Sequence, residues 1–234
     1  PLRSNSTGIN ANAKWNRNGL TVAGGNGSDS GINQLKCSWD LYVDNDQTIY
    51  VADAANCRIV EWKCDVTSGQ MIAGEYGMKR YRNGGTGGTV VAGGNGKGNR
   101  LDQLSSPFYV FVDRDHSVYM SDNGNDRVMK WEEGAKQGTV VAGGQGSGNS
   151  LTQLSGSLGV VVDQLGIVYI TDRENHRIMR WLKGVTQGTV IAGGNRSREQ
   201  SNQLNCSTGL SFDGLGNLYV VDFNNNRVQT FNID

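Results

Sequence analysis

Proline, histidine and long apolar runs are scarce in this sequence, and neither sign of charge is in excess. Lys plus Arg equals Asp plus Glu at 22 residues each, so the formal net charge is zero. A nucleic-acid binder would normally carry a basic excess to neutralise phosphates. No stretch approaches the ~18 apolar residues of a membrane span, and no signal-peptide pattern is present. These absences argue against nucleic acid as a partner and against a membrane span, and they leave the oligomeric state open.

Glycine, in contrast, is abundant. It supplies 34 of the 234 residues, which is twice the usual ~7 %. Together with only two prolines, Pro1 and Pro107, this composition predicts short strands joined by tight turns and disfavours long helices. The length suits one sizeable domain with its own core.

One motif, D-x-x-N-x-R-[IV], occurs four times, at spacings of 69, 50 and 50 residues. A Gln-Leu pair and an Ala-Gly-Gly triplet keep the same spacings. The repeated residues of the motif are Asp53, Asn56 and Arg58; Asp122, Asn125 and Arg127; Asp172, Asn175 and Arg177; and Asp222, Asn225 and Arg227. A catalytic group is needed only once in a domain, whereas this motif occurs four times. We therefore interpret the motif as structural.

Each repeat contains four β-type runs, which we name a to d. In the third repeat they are Gly159–Asp163, Ile167–Asp172, Arg177–Trp181 and Gly188–Gly193. Alternating apolar residues bounded by turn residues predict strands. Four-stranded units of this length, repeated in series, are typical of β-propeller blades, which stack in a ring because one blade cannot bury both of its faces.

The repeats resemble NHL repeats, whose name-giving letters stand at Asn175-His176-Arg177-Ile178. The resemblance covers about residues 20–234 and includes the aromatic residue that ends each strand c, at Trp62, Trp131, Trp181 and Phe231. It implies an all-β propeller, usually six-bladed in that family, and most often a non-enzymatic recognition role. Some NHL-type propellers are zinc lyases that use several histidines, and others bind RNA through a basic face.

The last repeat lacks a strand d, whereas the chain begins with one at Leu20–Gly25. Joining the two ends in one blade would remove exposed strand edges, and this closure predicts four blades. We therefore expect an N-terminal extension over residues 1–19 and a propeller over 20–234, with repeats near 20–74, 88–137, 138–187 and 188–234. Trp15 resembles the end of a further strand c, which would fit a chain cut from a longer array.

The first repeat is 19 residues longer than the others and offers two candidates for strand d, Gln70–Gly74 and Thr89–Gly94. The insertion 75–87 between them contains Tyr76 and Tyr81. It is either a plain surface loop or a binding loop, because long insertions on rigid scaffolds often carry function.

Strand alternation sorts the loops by face. The d–a loops and the b–c turns share one face, which we call face X, and the a–b and c–d turns lie on the opposite face, Y. Asn in the b–c turn tolerates left-handed backbone dihedrals. Ligand-binding candidates on face X are Asn26, Asn95, Gln145, Asn195, Arg196, Arg173, Glu174, His176, Asp126 and Phe223, and Tyr76 and Tyr81 join them from the insertion.

The histidines and acids do not predict a catalytic metal site. His116 falls on face Y and His176 on face X, so they cannot share a zinc ion. Asp29, Asp126 and Asp172 are possible calcium ligands on face X, but no calcium-loop spacing appears, and turn-stabilising acids are the simpler interpretation. We expect neither a cofactor nor a catalytic residue.

The four cysteines allow two pairings. Cys37–Cys206 would bridge the first and last blades, Cys37–Cys57 would lie within one blade, and Cys64 has no visible partner. The even count, the sequons at Asn5, Asn26, Asn195 and Asn205, and a start at Pro1 instead of Met favour a secreted protein.

The sequence favours a recognition module that binds a protein ligand through face X. The main alternative is a multivalent lectin, with amides at Asn26, Asn95, Gln145 and Asn195 as its repeated sites. An RNA binder and a metal lyase rank below these two.

Overall fold

The computed structural model describes residues 14–16, 18–29, 31, 33–36, 38–43, 49–53, 58–62, 70–74, 92, 95, 97–115 and 117–232. These residues form sixteen β-strands, with single 3-10 turns in three of the b–c connections. The strands are β1 Leu20–Gly24, β2 Ser38–Val43, β3 Ile49–Asp53, β4 Arg58–Trp62, β5 Gln70–Gly74, β6 Pro107–Val112, β7 Val118–Asp122, β8 Arg127–Trp131, β9 Thr139–Gly143, β10 Ser157–Val162, β11 Val168–Asp172, β12 Arg177–Trp181, β13 Thr189–Gly193, β14 Leu210–Phe212, β15 Leu218–Asp222 and β16 Arg227–Phe231.

The described strands build four antiparallel four-stranded sheets. Three of them follow the chain directly: β2 to β5, β6 to β9, and β10 to β13. The fourth has the order β1-β16-β15-β14, with Leu20 opposite Thr230 and Gly24 opposite Arg227. The all-β fold and the closure of the C-terminal blade by the N-terminal strand are therefore confirmed. We number these sheets as blades 1 to 4.

The inner strands of neighbouring blades pack against one another at three seams. Contacts join β6 to β10, β10 to β14, and β14 to β2, so blade 4 lies beside blade 1. Backbone hydrogen bonds cross these seams as well: the amide of Gly159 donates to the carbonyl of Thr208 at 2.8 Å. The hydroxyl of Thr208 donates in turn to the carbonyl of Ser38 at 3.2 Å.

The innermost strand of blade 3 begins earlier than predicted, at Ser157 instead of Gly159. The β10–β11 register shifts between Ser157 and Val160, which is a bulge. At the bulge, the Gly159 amide leaves the ladder and bonds to Thr208 of blade 4.

In blade 1, Gln70–Gly74 is strand d. The alternative strand Thr89–Gly94 and the insertion 75–87 fall almost wholly outside the described residues.

Strands far from the rim of the propeller are more deeply buried than the outer strands. All five residues of β7, β11 and β15 are buried, whereas the outer strands β9 and β13 each begin with two exposed residues. The aromatic residue that ends strand c is buried in blades 2, 3 and 4. In blade 3 it lies on the glycine before strand d: a Cβ on Gly188 would come within 2.8 Å of the Trp181 ring.

Trp15 belongs to the core rather than to a free extension. Its indole is 5 % exposed and meets the ring of Tyr169 edge-on at 5.7 Å between centroids. The ring of Phe212 lies 6.4 Å away, and Trp15 Nε1 donates to the carbonyl of Gly216 at 3.3 Å. Trp15 therefore fills the seam between blades 3 and 4.

No helix in the described part of the chain is long and apolar enough to cross a membrane.

Candidate functional site

The repeated aspartate is the centre of a buried hydrogen-bond network. In blade 3, the Asp172 carboxylate is fully buried and accepts from the Ser155 amide at 2.7 Å and from Arg177 Nε at 2.6 Å. The Asn175 amide donates to the same carboxylate at 2.9 Å. Burial raises the pKa of Asp172, while these donors lower it in part. The charge is thus surrounded by donors on its own blade.

The repeated arginine ties this network to the preceding d–a loop. The Arg177 guanidinium donates to three loop carbonyls, those of Asn149 at 2.8 Å, Ser150 at 2.9 Å and Gln153 at 3.2 Å. Blades 2 and 4 repeat the arrangement, with Nε–Oδ2 distances of 2.8 Å for Arg127–Asp122 and 2.7 Å for Arg227–Asp222. Each buried pair therefore holds a loop of face X in one conformation.

Blade 1 keeps part of this arrangement in its backbone. Asp53 and Arg58 face each other in the β3–β4 register, as Asp172 and Arg177 do in β11–β12. The side chains of Asp53 and Arg58, and the whole of Asn56, lie outside the described residues.

In blades 2, 3 and 4 the left-handed residue of the b–c turn is not the motif Asn. Asn125, Asn175 and Asn225 end short 3-10 turns, and the left-handed residue is the next one. That residue is Asp126, His176 or Asn226, with φ of 47°, 52° and 49°. The Asn side chain is instead used as a donor to the loop carbonyl of Gly98, Gly148 or Arg198, at 2.9 Å each. This bond needs an Asn side chain at that position of the 3-10 turn.

The residue after the motif Asn links one blade to the next. Asp126 Oδ1 accepts from the Gly156 amide of blade 3 at 3.0 Å. His176 Nδ1 accepts from the Cys206 amide of blade 4 at 3.1 Å. These two ligand-binding candidates therefore contact neighbouring backbone across the seams of face X. His116 lies outside the described residues.

A mixed polar cluster lies over the seam between blades 3 and 4. Arg173 and Glu174 form an ion pair, with side chains 33 % and 50 % exposed. The half-buried thiol of Cys206 lies near both and near the Asn224 amide, and burial raises its pKa. Phe223, a further candidate, is half-buried in the adjoining 3-10 turn.

The proposed Cys37–Cys206 bridge is corrected by the structure, because Cys206 carries a free thiol. Its backbone is left-handed, with φ of 55°, and its amide is held by His176. This conformation places the thiol beside Arg173 and Glu174 of blade 3. Cys37, Cys57 and Cys64 lie outside the described residues, as does the rival Cys37–Cys57 pairing.

The four amide candidates of the d–a loops are exposed and stand at equivalent places. A glutamine side chain from the same loop donates to the backbone carbonyl of each, at 2.9 Å for Asn26, Asn95 and Asn195 and at 3.1 Å for Gln145. The side chains differ. Asn26 and Asn95 close onto loop carbonyls, those of Asn33 at 3.1 Å and Asp102 at 3.4 Å.

Asn195 belongs to a groove on the rim of blade 3. The groove has a volume of about 420 Å³ and is lined by Asn149, Asn175, Arg177, Asn195, Asn202 and the β13 segment from Val190 to Gly194. Of the binding candidates named from sequence, only Asn195 lines it. Asn149 and Asn202 were missed; their repeated positions in d–a loops place them on face X, but only the fold brings them to one groove. Tyr76 and Tyr81 fall outside the described residues.

The described residues hold no cluster of three or more His, Cys, Asp or Glu side chains that could bind a metal ion. Among the suggested calcium ligands, Asp172 and Asp126 already accept from protein donors.

A family model for the NHL repeat matches residues 158–180 and 204–231. The first match spans most of β10 to β12, and the second ends with β16. The chain is a β-propeller whose third and fourth blades contain NHL repeats. The side chains of the name-giving triplet in blade 3, Asn175, His176 and Arg177, therefore anchor loops and join blades, as described above.

Solved structures resemble this β-propeller in fold. A structural-genomics protein of unknown function from Bacteroides thetaiotaomicron has a TM-score of 0.64 at 12 % identity, over 100 % of this chain and 84 % of its own. An auxiliary nutrient-binding protein from the same organism has a TM-score of 0.47 at 12 % identity, over 80 % of this chain and 46 % of its own. A gluconolactonase from Xanthomonas campestris has a TM-score of 0.47 at 11 % identity, over 100 % of this chain and 99 % of its own.

The first of these similarities shows the shared fold alone, and the other two are too distant to carry an argument. The chain spans about half the length of the nutrient-binding protein. A comparison with curated proteins finds no match.

Proposed function

We propose that this β-propeller is a non-enzymatic recognition module, and that it binds a protein ligand through the loops of face X. The observation that carries the proposal is the buried Asp–Arg network of blades 2, 3 and 4. In each, one arginine holds three carbonyls of a d–a loop, so the loop is ordered before any ligand arrives. A preordered surface loses less conformational entropy on binding.

The residues displayed between these anchors differ from blade to blade. The b–c turn presents Asn123 and Gly124 in blade 2, Arg173 and Glu174 in blade 3, and Phe223 and Asn224 in blade 4. The surface therefore combines amide, charged and aromatic groups on one rigid frame. Such a mixture suits a protein ligand, whose interface is itself a mixture of polar and apolar groups.

The cluster at Arg173 and Glu174 is the part of face X that we expect to contact the partner. A photo-crosslinking amino acid at Glu174, in the full chain, should capture a discrete protein from an extract of the source organism. The same group at Leu165, which is 52 % exposed in the a–b turn on face Y, is the matched control and should capture nothing discrete.

Two substitutions sharpen the test. Arg173→Ala removes a charged group of face X and should weaken capture, whereas Lys183→Ala removes an exposed charge from a c–d turn on face Y and should leave capture unchanged. Equal capture from both faces, or no capture by folded protein, contradicts the proposal.

The competing enzymatic function has its own measurement. Hydrolysis of glucono-lactone and metal content by elemental analysis can be measured on the same preparation. Turnover that survives repurification, or zinc in stoichiometric amount, would replace the recognition role by catalysis. Secretion is a further part of the proposal, and glycan analysis of native protein at Asn205 tests it, since N-glycans are added in the secretory pathway.

A further inference from the structure

The rim groove of blade 3 brings together asparagines from three separate segments. Asn149 comes from the loop before β10, Asn175 from the turn between β11 and β12, and Asn195 and Asn202 from the loop after β13. The volume of about 420 Å³ lies within the range of roughly 300–1,000 Å³ that small-molecule sites occupy.

Three of these carboxamides are available to a ligand. The side chains of Asn149, Asn195 and Asn202 make no hydrogen bond within the described part of the chain, whereas the amides of Asn26 and Asn95 in equivalent loops are closed onto loop carbonyls. Each free carboxamide offers two donors and an acceptor. The groove can therefore bond groups that both donate and accept.

The groove is electrically neutral towards a ligand. Its one charged lining side chain, Arg177, is 6 % exposed and is bonded to Asp172 and to three carbonyls. The lining from β13 is apolar in part, since Val190 is 37 % exposed there. An anion would find no free cation in this lining. A sugar ring, with hydroxyls at its rim and C–H groups on its faces, matches both parts.

The loop that carries Asn195 also has an unusual backbone. Arg196 has φ of 72°, at the position where equivalent loops have Gly27 and Gly146 with φ of 86° and 77°. A non-glycine residue is strained there, and such strain is found preferentially at functional sites. The blade 3 groove is thus distinguished from its blade 2 counterpart by backbone, and from the loops of Asn26 and Asn95 by its free amides.

We propose that this groove binds a neutral saccharide. The inference goes beyond the proposed protein-binding function and names a second ligand class for one part of face X. The carboxamides of Asn149, Asn195 and Asn202 bond the hydroxyls, and the exposed side chain of Val190 contacts a C–H face of the sugar ring.

The test applies the full chain, fluorescently labelled, to an array of neutral and acidic oligosaccharides. We expect binding to a group of neutral oligosaccharides. The double variant N195A/N202A should bind them at least tenfold more weakly. The matched control T152A, at the blade 2 position equivalent to Asn202, should bind like the parent chain. Far-UV circular dichroism and the unfolding temperature verify that both variants are folded.

Three results overturn the inference: no binding of neutral oligosaccharides by the folded chain, binding of acidic ones only, or equal loss in both variants. Cross-linking from Glu174 in the same preparation separates this failure from that of the proposed function. A blank array with cross-linking retained removes only the saccharide site. A blank array with cross-linking also absent removes the recognition role as well.

Discussion

Replacement of Asp172 by alanine tests whether the repeated motif is architecture. The carboxylate is fully buried, and its removal leaves the Arg177 guanidinium, with 7 % of its side chain exposed, without a counter-charge. The Ser155 amide and the Asn175 side chain lose an acceptor at the same time. Three donors that the fold shields from water then each lack the carboxylate acceptor that they have in the native protein.

The expected cost follows from these groups. Removing one partner of a buried ion pair typically costs about 3–5 kcal/mol of unfolding free energy, because the remaining charge stays buried. For a protein of this size, 1 kcal/mol corresponds to roughly 2–4 °C in unfolding temperature. We therefore expect Asp172→Ala to lower the unfolding temperature by roughly 6–20 °C. Glu132→Ala is the matched control, since the Glu132 side chain is 75 % exposed and pairs with Lys130 Nζ at 3.4 Å.

Urea unfolding followed by circular dichroism and tryptophan fluorescence measures both variants. Glu132→Ala should change the unfolding free energy by no more than about 0.5 kcal/mol. If Asp172→Ala costs less than about 1 kcal/mol, the anchoring role is refuted and the motif must be explained by another function.

Four further perturbations follow from the structure. Trp15→Ala should lower the unfolding free energy by about 3–5 kcal/mol, because it empties the seam between blades 3 and 4; a change below about 1 kcal/mol in urea unfolding would show that the segment is dispensable. Gly159→Ala should cost about 1–3 kcal/mol, since its Cβ would lie 2.5 Å from the Thr208 carbonyl oxygen, and an unchanged unfolding midpoint would contradict this packing. Burial and the charge of Asp163 raise the pKa of Tyr169 above its ordinary value of 10, so the folded state keeps a proton that the unfolded state loses. Stability should then fall above pH ~10 by about 1.4 kcal/mol per pH unit through this group, and Tyr169→Phe should show a shallower slope by that amount; equal slopes would refute it. Arg196→Gly should raise the unfolding free energy by about 0.5–1 kcal/mol by relieving the left-handed strain, and a loss of stability would mean that the guanidinium makes a stabilising contact.

Much of the fold could be predicted from the repeat because the sequence of each repeat contains the pattern of its own strands. Apolar alternation between turn residues predicted β12 at Arg177–Trp181 to the residue, and the missing last strand predicted the pairing of β1 with β16. The bulge at Gly159 escaped this reasoning. It depends on a bond to Thr208 in another blade, and no pattern within one strand contains that information.

The candidate site was predicted less completely. Alternation placed the d–a loops and b–c turns on one face, and the Asn175–Gly148 bond joins them there. It did not separate side chains that hold the structure, such as Asp126 and His176, from side chains that remain available, such as Asn195. That separation depends on which donors lie nearby after folding.

The sequence by itself determined the strands, their order in each blade, the closure and the face on which each loop lies, because these follow from local periodicity and its repetition. Only the tertiary structure decided which turn residue is left-handed, that Trp15 fills a seam, that Cys206 stays a thiol, and that Asn149, Asn195 and Asn202 share a groove. These are contacts between segments far apart in the chain, and their geometry is set by how the blades and loops pack against one another.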